Sequence, residues 1–119
     1  LDRVIISSIT GKTFIGRESF AGTSISSFIV PTATGGVNIY PRAFADNPRL
    51  REIDCTAVTD KIVYLADVNA FENCPNLKYI IVPDNLASEY RNATNWSNYA
   101  YKIIMKAQYE DAKSQNLTL

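Results

Sequence analysis

The side chains in this chain that first suggest chemistry are two carboxylates, Glu52 and Asp54, and two thiols, Cys55 and Cys74. Because side chains alternate between the faces of a strand, the two carboxylates are expected together on the face opposite Cys55. A carboxylate pair can act as a retaining glycosidase only when a cleft holds the sugar between the two groups. A flat strand offers no such cleft, so the pattern predicts a solvated acidic pair without a catalytic role.

The chain contains no histidine, the residue that most often transfers protons near neutral pH and the commonest metal ligand. Only a lysine or a carboxylate remains to activate Cys55 or Cys74 as a nucleophile. Unpaired cysteines are among the most buried residue types, which gives both thiols a structural explanation. We therefore predict a protein that is not an enzyme, with no cofactor and no metal site. A disulfide between Cys55 and Cys74 stays open, although the two positions are expected to point in poor directions for bonding.

Composition excludes two further classes of partner. The 12 Lys and Arg balance the 12 Asp and Glu, so there is no net positive charge to hold a nucleic acid. The longest apolar stretches, such as 79–82, suit strands, and no run approaches the roughly eighteen apolar residues of a membrane span. At 119 residues and 46% hydrophobic residues, the chain is expected to form one folded domain. Because it opens on Leu1 without an initiator Met, we expect a fragment or a processed product.

A repeat is the most informative feature of the sequence. Three segments align when each is anchored on a phenylalanine: IGRESFAGTSISSFIVP at 15–31, IYPRAFADNPRLREIDC at 39–55 and ADVNAFENCPNLKYIIVP at 66–83. The anchors Phe20, Phe44 and Phe71 are 24 and 27 residues apart. Such spacing is typical of solenoid repeats in which each unit supplies a short strand and a less regular return.

An apolar triplet follows each anchor. The triplets have the spacing L-x-x-L-x-L and consist of Ile25, Phe28 and Val30, then Leu50, Ile53 and Cys55, then Leu77, Ile80 and Val82. The last two members of each triplet lie two positions apart and therefore point to the same side of a strand. One such unit cannot bury its apolar side alone, but stacked copies cover one another. The pattern predicts an α/β solenoid with parallel strands.

The alternative is three unrelated strands in an ordinary β-rich fold, where alternation is common. Features beyond alternation favour the repeat. Pro31 and Pro83 follow the strand in two copies, and Asn-Cys-Pro-Asn-Leu at 73–77 parallels Asp-Asn-Pro-Arg-Leu at 46–50. These correspondences are more than a set of unrelated strands requires.

The pattern I-x-x-x-A-F-x-x-C-x-x-L-x-x-I-x-V-P, present over 66–83 with Ala66 in place of the first Ile, resembles the BspA-type leucine-rich repeat of bacterial surface proteins. The middle copy is similar, with Ile39, Ala43, Phe44, Asn47, Leu50 and Ile53 at matching places. Cys74 stands where that family often has Cys, and Asn47 takes the same place in the middle copy. We expect this turn side chain to satisfy a backbone group of the next repeat.

The resemblance covers about residues 9–104. The first copy departs from the pattern because it is shorter by one residue between Phe20 and Ile25 and has Ser19 where Ala is usual, so its turn is expected to be distorted. Proteins of this family resemble one another in fold and surface location more than in ligand. The resemblance therefore implies an extracellular or cell-surface module that binds a protein, including a host protein, without naming it.

Residues 84–105 are predicted to close the stack as a C-terminal helical cap. Asp84 follows a proline as a predicted N-cap, and Leu86, Tyr90 and Ala93 form one apolar stripe of a helix over about 84–93. An open stack exposes its last core layer, which Trp96 is suited to cover. The stretch also resembles the C-terminal ends of BspA-type arrays. The predicted organisation is a lead-in or strand at 1–14, three repeats at 15–83, the cap at 84–105 and a tail at 106–119.

The same alignment predicts a binding surface. Outward strand positions of stacked repeats line up in columns, so Ser27, Glu52 and Tyr79 are expected in one column and Ile29, Asp54 and Ile81 in the next. Apolar and aromatic groups around two carboxylates are typical of a protein-binding patch. The alternative is that the cap or other parts of the full protein cover this face. Two other functions stay open: a structural spacer or stalk of a larger surface or phage-tail-like protein, and an accessory carbohydrate-binding unit that uses Tyr64, Tyr79 or Trp96.

Overall fold

Short strands at a regular spacing form the body of the molecule. A computed structural model describes residues 3–4, 13–16, 20–22, 25–31 and 36–114. The strands are β1 (Arg3–Val4), β2 (Thr13–Ile15), β3 (Ser27–Ile29), β4 (Val37–Ile39), β5 (Glu52–Asp54), β6 (Tyr64–Leu65), β7 (Tyr79–Val82) and β8 (Ile103–Met105). The α-helices are α1 (Ala87–Asn92) and α2 (Lys106–Ser114), and single 3₁₀ segments span Val68–Phe71, Asp84–Leu86 and Trp96–Lys102.

The strands that follow the phenylalanine anchors pair in parallel, as the repeat predicts. Together with β1 and β8, these strands form one sheet in the order β1-β3-β5-β7-β8. Its register aligns Ser27 with Glu52 and Glu52 with Tyr79, and it aligns Ile29 with Asp54 and Asp54 with Ile81. Both predicted columns are therefore confirmed. Between them runs the inward column of Phe28, Ile53, Ile80 and Ile103.

A second sheet corrects the expectation of one strand per repeat. Strands β2, β4 and β6 pair in parallel, so the return of the chain also contains a short strand. Val37, Ile39 and Leu65 of this sheet are buried, whereas Asn38 is half-buried and Tyr64 is exposed. Strands of two or three residues are too short for alternation to distinguish them from a loop, which is why the sequence pattern missed them.

The three anchor rings form a continuous stack in the interior. The centroids of the Phe20 and Phe44 rings are 5.5 Å apart with an interplanar angle of 8°, and those of Phe44 and Phe71 are 5.6 Å apart at 15°. All nine triplet residues are buried and belong to one hydrophobic cluster. The anchors therefore occupy equivalent positions around a shared core, which rules out three unrelated strands.

A buried polar contact links each turn to its neighbour. The Asn47 amide, fully buried, donates to the carbonyl oxygens of Phe20 at 2.8 Å and Phe44 at 2.7 Å. The Cys74 thiol donates in the same way to Phe44 O at 3.1 Å. The expectation that this position serves the next repeat is wrong, since it serves the preceding one. The preceding residues, Asp46 and Asn73, have left-handed backbones with φ of 60° and 58°, which turn the chain so that the next side chain points backwards.

The cap follows the prediction with two corrections, which concern the first turn of its helix and its N-cap residue. The helix expected over 84–93 is a 3₁₀ segment at Asp84–Leu86 followed by α1, and its stripe residues Leu86 and Tyr90 are buried. Asp84 does not cap this segment, because Pro83 occupies the N-cap position and provides no side-chain bond. The Asp84 carboxylate instead accepts a hydrogen bond from the backbone N–H of Ala107, at 3.2 Å, in the first turn of α2.

The N-terminal end of the described chain joins both sheets, and its C-terminal end is a helix. β1 pairs with β3 and β2 pairs with β4, so residues 3–4 and 13–15 extend the repeated pattern upstream. The apolar residues expected to form the rest of the lead-in strand, at 5, 6 and 9, lie outside the described residues, as does Ser19. The predicted tail contains α2 up to Ser114, and residues 115–119 lie outside the described residues. The limits of the three repeats and of the cap stay a prediction.

Candidate functional site

The outer face of the first sheet holds four of the six predicted binding residues in one pocket. Ser27 and Ile29 from β3, with Glu52 and Asp54 from β5, line a cavity of about 270 Å³. The opposite wall consists of Tyr109 and Lys113 of α2. All four strand residues are half-buried, which leaves part of each accessible from the pocket. The register of parallel strands brings them together from positions 25 residues apart.

Tyr79 and Ile81, the other two predicted residues, lie outside this pocket. The expectation that Ile81 is exposed is wrong, since only 2% of the residue is accessible to solvent. Ile81 is buried without being part of the main hydrophobic cluster. β8 pairs with β7 beside it, and α2 contacts both strands. Tyr79 is half-buried, with its ring 5.7 Å from that of Tyr109 at an interplanar angle of 74°. This half of the face is therefore covered, as the alternative expected, but the covering element is α2 of the predicted tail and not the cap.

Tyr109 is the site residue that sequence reasoning missed. It is buried, its hydroxyl donates to a Glu52 carboxylate oxygen, and the Lys113 ammonium lies 5.0 Å from its ring centroid. Burial raises the pKa of the Tyr109 hydroxyl, and the hydrogen bond and negative charge of Glu52 raise it further. The available signal was a single aromatic residue in the otherwise polar segment 106–114.

The two carboxylates have different roles. Glu52 accepts from Tyr109, whereas Asp54 accepts from the backbone N–H of Thr56 at 2.9 Å and from its hydroxyl at 2.6 Å. The Asp54 contacts close a local turn after β5. Ion pairs in the described residues join Arg42 to Asp46 and Glu72, away from this pocket. The expectation of a solvated pair on a flat face is therefore wrong, because both carboxylates accept hydrogen bonds and line a pocket whose wall includes Lys113.

The cysteines have structural roles, as the sequence predicted. Both are free and buried, so the disulfide left open by the sequence does not form. Burial raises the pKa of the Cys55 thiol, with a further contribution from the charge of Asp54, and burial also raises that of Cys74. A thiol with a raised pKa is mostly protonated at neutral pH and is a poor nucleophile. Among the described residues, no group of three or more Cys, Asp or Glu side chains is placed to hold a metal ion.

The aromatic residues considered for carbohydrate binding are dispersed. Trp96 is 1% exposed, and its indole N–H donates to Val63 O at 2.7 Å, so it cannot act as a sugar platform. Tyr79 packs under Tyr109, and Tyr64 is exposed on the second sheet. These three side chains do not form one surface, and the predicted packing role of Trp96 is the one observed.

The family comparison agrees with this geometry. The chain matches the model of the BspA type leucine rich repeat region (6 copies) over residues 13–116. The chain belongs to the BspA-type leucine-rich repeat family. The searches of curated proteins and of solved structures found no match.

Membership explains what the BspA-type repeat positions do in this chain. The family Phe is the stacked ring, the Cys or Asn position is the buried donor to the preceding repeat, and the Ile and Val positions form the inner columns. The family is generally a non-catalytic repeat that commonly binds proteins. None of the helices in the described part of the chain is both long and apolar enough to cross a bilayer.

Proposed function

We propose that this chain is a non-catalytic BspA-type module that binds a protein ligand through the outer face of its first sheet. The observation that carries the proposal is the pocket formed by Ser27, Ile29, Glu52 and Asp54. It combines an apolar side chain with hydrogen-bonding groups in a concavity, as protein-binding patches do. The buried thiols and the absence of histidine agree with a role that involves no chemistry.

We further propose that the whole array is a solenoid, with repeats at 15–83 and the cap at 84–105. The parallel register of both sheets and the stacked anchor rings support this architecture. Repeats of this family are typically found in bacterial surface and secreted proteins. An extracellular or cell-surface location, and a role in adhesion that includes host proteins, are therefore the setting we propose.

Selection from a peptide display library tests the binding function without a known partner. Peptides selected on the folded protein would be measured on Ile29→Arg, which places a long cation in the pocket, and on Tyr64→Arg as the control. Tyr64 is 57% exposed and belongs to the second sheet. We expect selected peptides to lose at least tenfold in affinity on Ile29→Arg and to be unaffected by Tyr64→Arg.

The competing function is a structural spacer with no ligand of its own. A spacer would yield no peptides whose binding depends on Ile29, or peptides that respond equally to both substitutions. Either result would contradict the proposal. Melting temperatures of the two variants must match that of the parent protein, so that lost binding is not lost folding.

A further inference from the structure

Helix α2 differs from the rest of the structure in how little of it is buried. Seven of its nine residues are exposed, Ala112 is half-buried and Tyr109 is the one buried residue. The strands beneath it belong instead to a continuous core that extends through every repeat. Isolated helices shorter than about 12–15 residues are marginal in water. The helix therefore depends on its contact with the sheet.

Tyr109 is the buried side chain in that contact. The Tyr109 ring packs edge-on against Tyr79, and its hydroxyl donates to Glu52. The contacts of α2 with the rest of the fold also include the bond from Ala107 N–H to Asp84, which is exposed. Elements with few buried apolar contacts open at lower free energy than the core. Loss of the Tyr109 contacts would therefore release α2 without disturbing the strands.

Release of α2 would expose part of the outer face of the first sheet. The helix packs against β7, whose residues Tyr79 and Ile81 complete the two outward columns. Its residues Tyr109 and Lys113 line the pocket formed by the other column members. We propose that α2 is a removable cover of the outer face, held by Tyr109, and that the ligand of this face displaces it. The displacing segment presents an aromatic side chain to Tyr79 and a hydrogen-bond donor to Glu52, as Tyr109 does. The displacement of α2 by a ligand rests on the proposed binding function.

Hydrogen exchange tests the cover directly and requires no ligand. The amides at 110–114, which have intrahelical acceptors, are compared with those of β5 and β7 in the full chain. We expect the α2 amides to exchange at least tenfold faster than the strand amides in the parent protein. Tyr109→Ala should abolish α2 protection and leave the strands within twofold, whereas the exposed control Gln108→Ala should leave both unchanged.

Two results would overturn the proposal that α2 is a removable cover. One is exchange of α2 at the rate of the strands in the parent protein, which would mean that the helix opens only with the whole fold. The other is a Tyr109→Ala variant in which β5 and β7 lose protection together with α2. Tyr109→Phe keeps the ring and removes the hydroxyl, so it should give an intermediate loss of α2 protection.

Peptide binding tests the displacement of α2 separately from the proposed function. Peptides selected for dependence on Ile29 should bind Tyr109→Ala at least threefold more tightly than the parent protein, because the cover no longer competes. If the peptides bind both proteins with equal affinity and the hydrogen-exchange rates are as expected, α2 does not compete with the ligand. That result would overturn the displacement of α2 by the ligand, although the helix would still open independently of the strands. Failure to select any such peptide would contradict the proposed function and leave the exchange result standing by itself.

Discussion

Asn47 and Cys74 occupy the same position of successive repeats and donate to the backbone of the repeat before. The donor group of the side chain determines how strong this contact is. The Asn47 amide reaches two carbonyls within 2.8 Å, whereas the Cys74 thiol donates to Phe44 O at 3.1 Å and Glu72 O at 3.7 Å. Sulfur is the weaker donor, so the middle turn is the more strongly linked of the two.

Asn47→Ala is expected to lower the free energy of unfolding by about 2 kcal/mol, because buried carbonyl oxygens lose their donor. Asn76→Ala is the matched control, since this amide also donates across repeats, to Pro48 O, but from an exposed position. It should cost less than about 0.5 kcal/mol. Urea denaturation of the two variants measures both values. Equal losses would show that burial does not set the contribution of the amide.

Buried hydroxyl and thiol groups predict a loss of stability in alkali. Burial raises the pKa of Cys55 and Tyr90 above their ordinary values of 9.0 and 10.0, and it raises the pKa of Tyr99 to about 12. The unfolded chain releases these protons first, so their stabilising contribution is complete below pH 9 and is lost as the pH rises above it.

We therefore expect the free energy of unfolding to be level from about pH 7 to 8.5 and to fall steadily above about pH 9. Cys55→Ala lacks the titrating thiol, so its stability should fall less between about pH 9 and 10 than that of the parent protein. Urea unfolding at a series of pH values measures both slopes. A curve that stays level through about pH 11 would contradict the burial of these groups.

Among the elements, the cap is defined by how it closes the last layer of the core. Trp96 contacts the Phe71 and Tyr90 rings at centroid distances of 6.1 and 5.2 Å. Tyr90 also accepts a hydrogen bond from the buried Val63 N–H at 2.9 Å. These contacts continue the ring stack from the last repeat into the cap. The cap is therefore an extension of the core and differs from α2, which packs on the outer face.

Trp96→Ala should lower the free energy of unfolding by roughly 3–5 kcal/mol, since it opens a cavity and leaves Val63 O without its donor. Tyr101→Ala is the control, because Tyr101 is 80% exposed in the same segment. It should change stability by less than about 0.5 kcal/mol. Thermal and urea unfolding followed by circular dichroism provide the measurement. A loss below about 1 kcal/mol for Trp96→Ala would mean that the cap is not part of the core.

For the whole molecule, the ring stack makes distant repeats depend on one another. Phe44 contacts Phe20 on one side and Phe71 on the other. A chain with one continuous core of this size is expected to unfold in a single transition. Removing the middle ring should therefore weaken the whole described fold and not one repeat.

Phe44→Ala is expected to lower the unfolding midpoint in urea by an amount equivalent to roughly 3–5 kcal/mol, with an unchanged m-value. Transitions followed by circular dichroism and by Trp96 fluorescence should coincide, although Trp96 lies in the cap. Tyr64→Ala, at a 57% exposed position, serves as the control. Separate transitions for the two probes would show that the repeats unfold independently.

The sequence by itself determined the repeat, its parallel strands and both outward columns. Those features follow from the spacing of residues along the chain, since period-two alternation and equivalent anchors fix which side chains share a face. The inward position of Cys55 was predicted for the same reason, whereas the packing of Trp96 was predicted because an open stack exposes its last core layer. So was the register that brings Ser27 beside Glu52, because equivalent repeat positions must align in a stack.

Only the tertiary structure decided what covers the outer face. The contact of Tyr109 with Glu52 joins residues 57 positions apart and belongs to no repeat, so periodicity could not predict it. The packing of Tyr79 against Tyr109 and the bond from Ala107 to Asp84 depend on the same docking of α2. A segment outside the repeat has no register to follow, and its place is set by the surface that its one buried ring can reach.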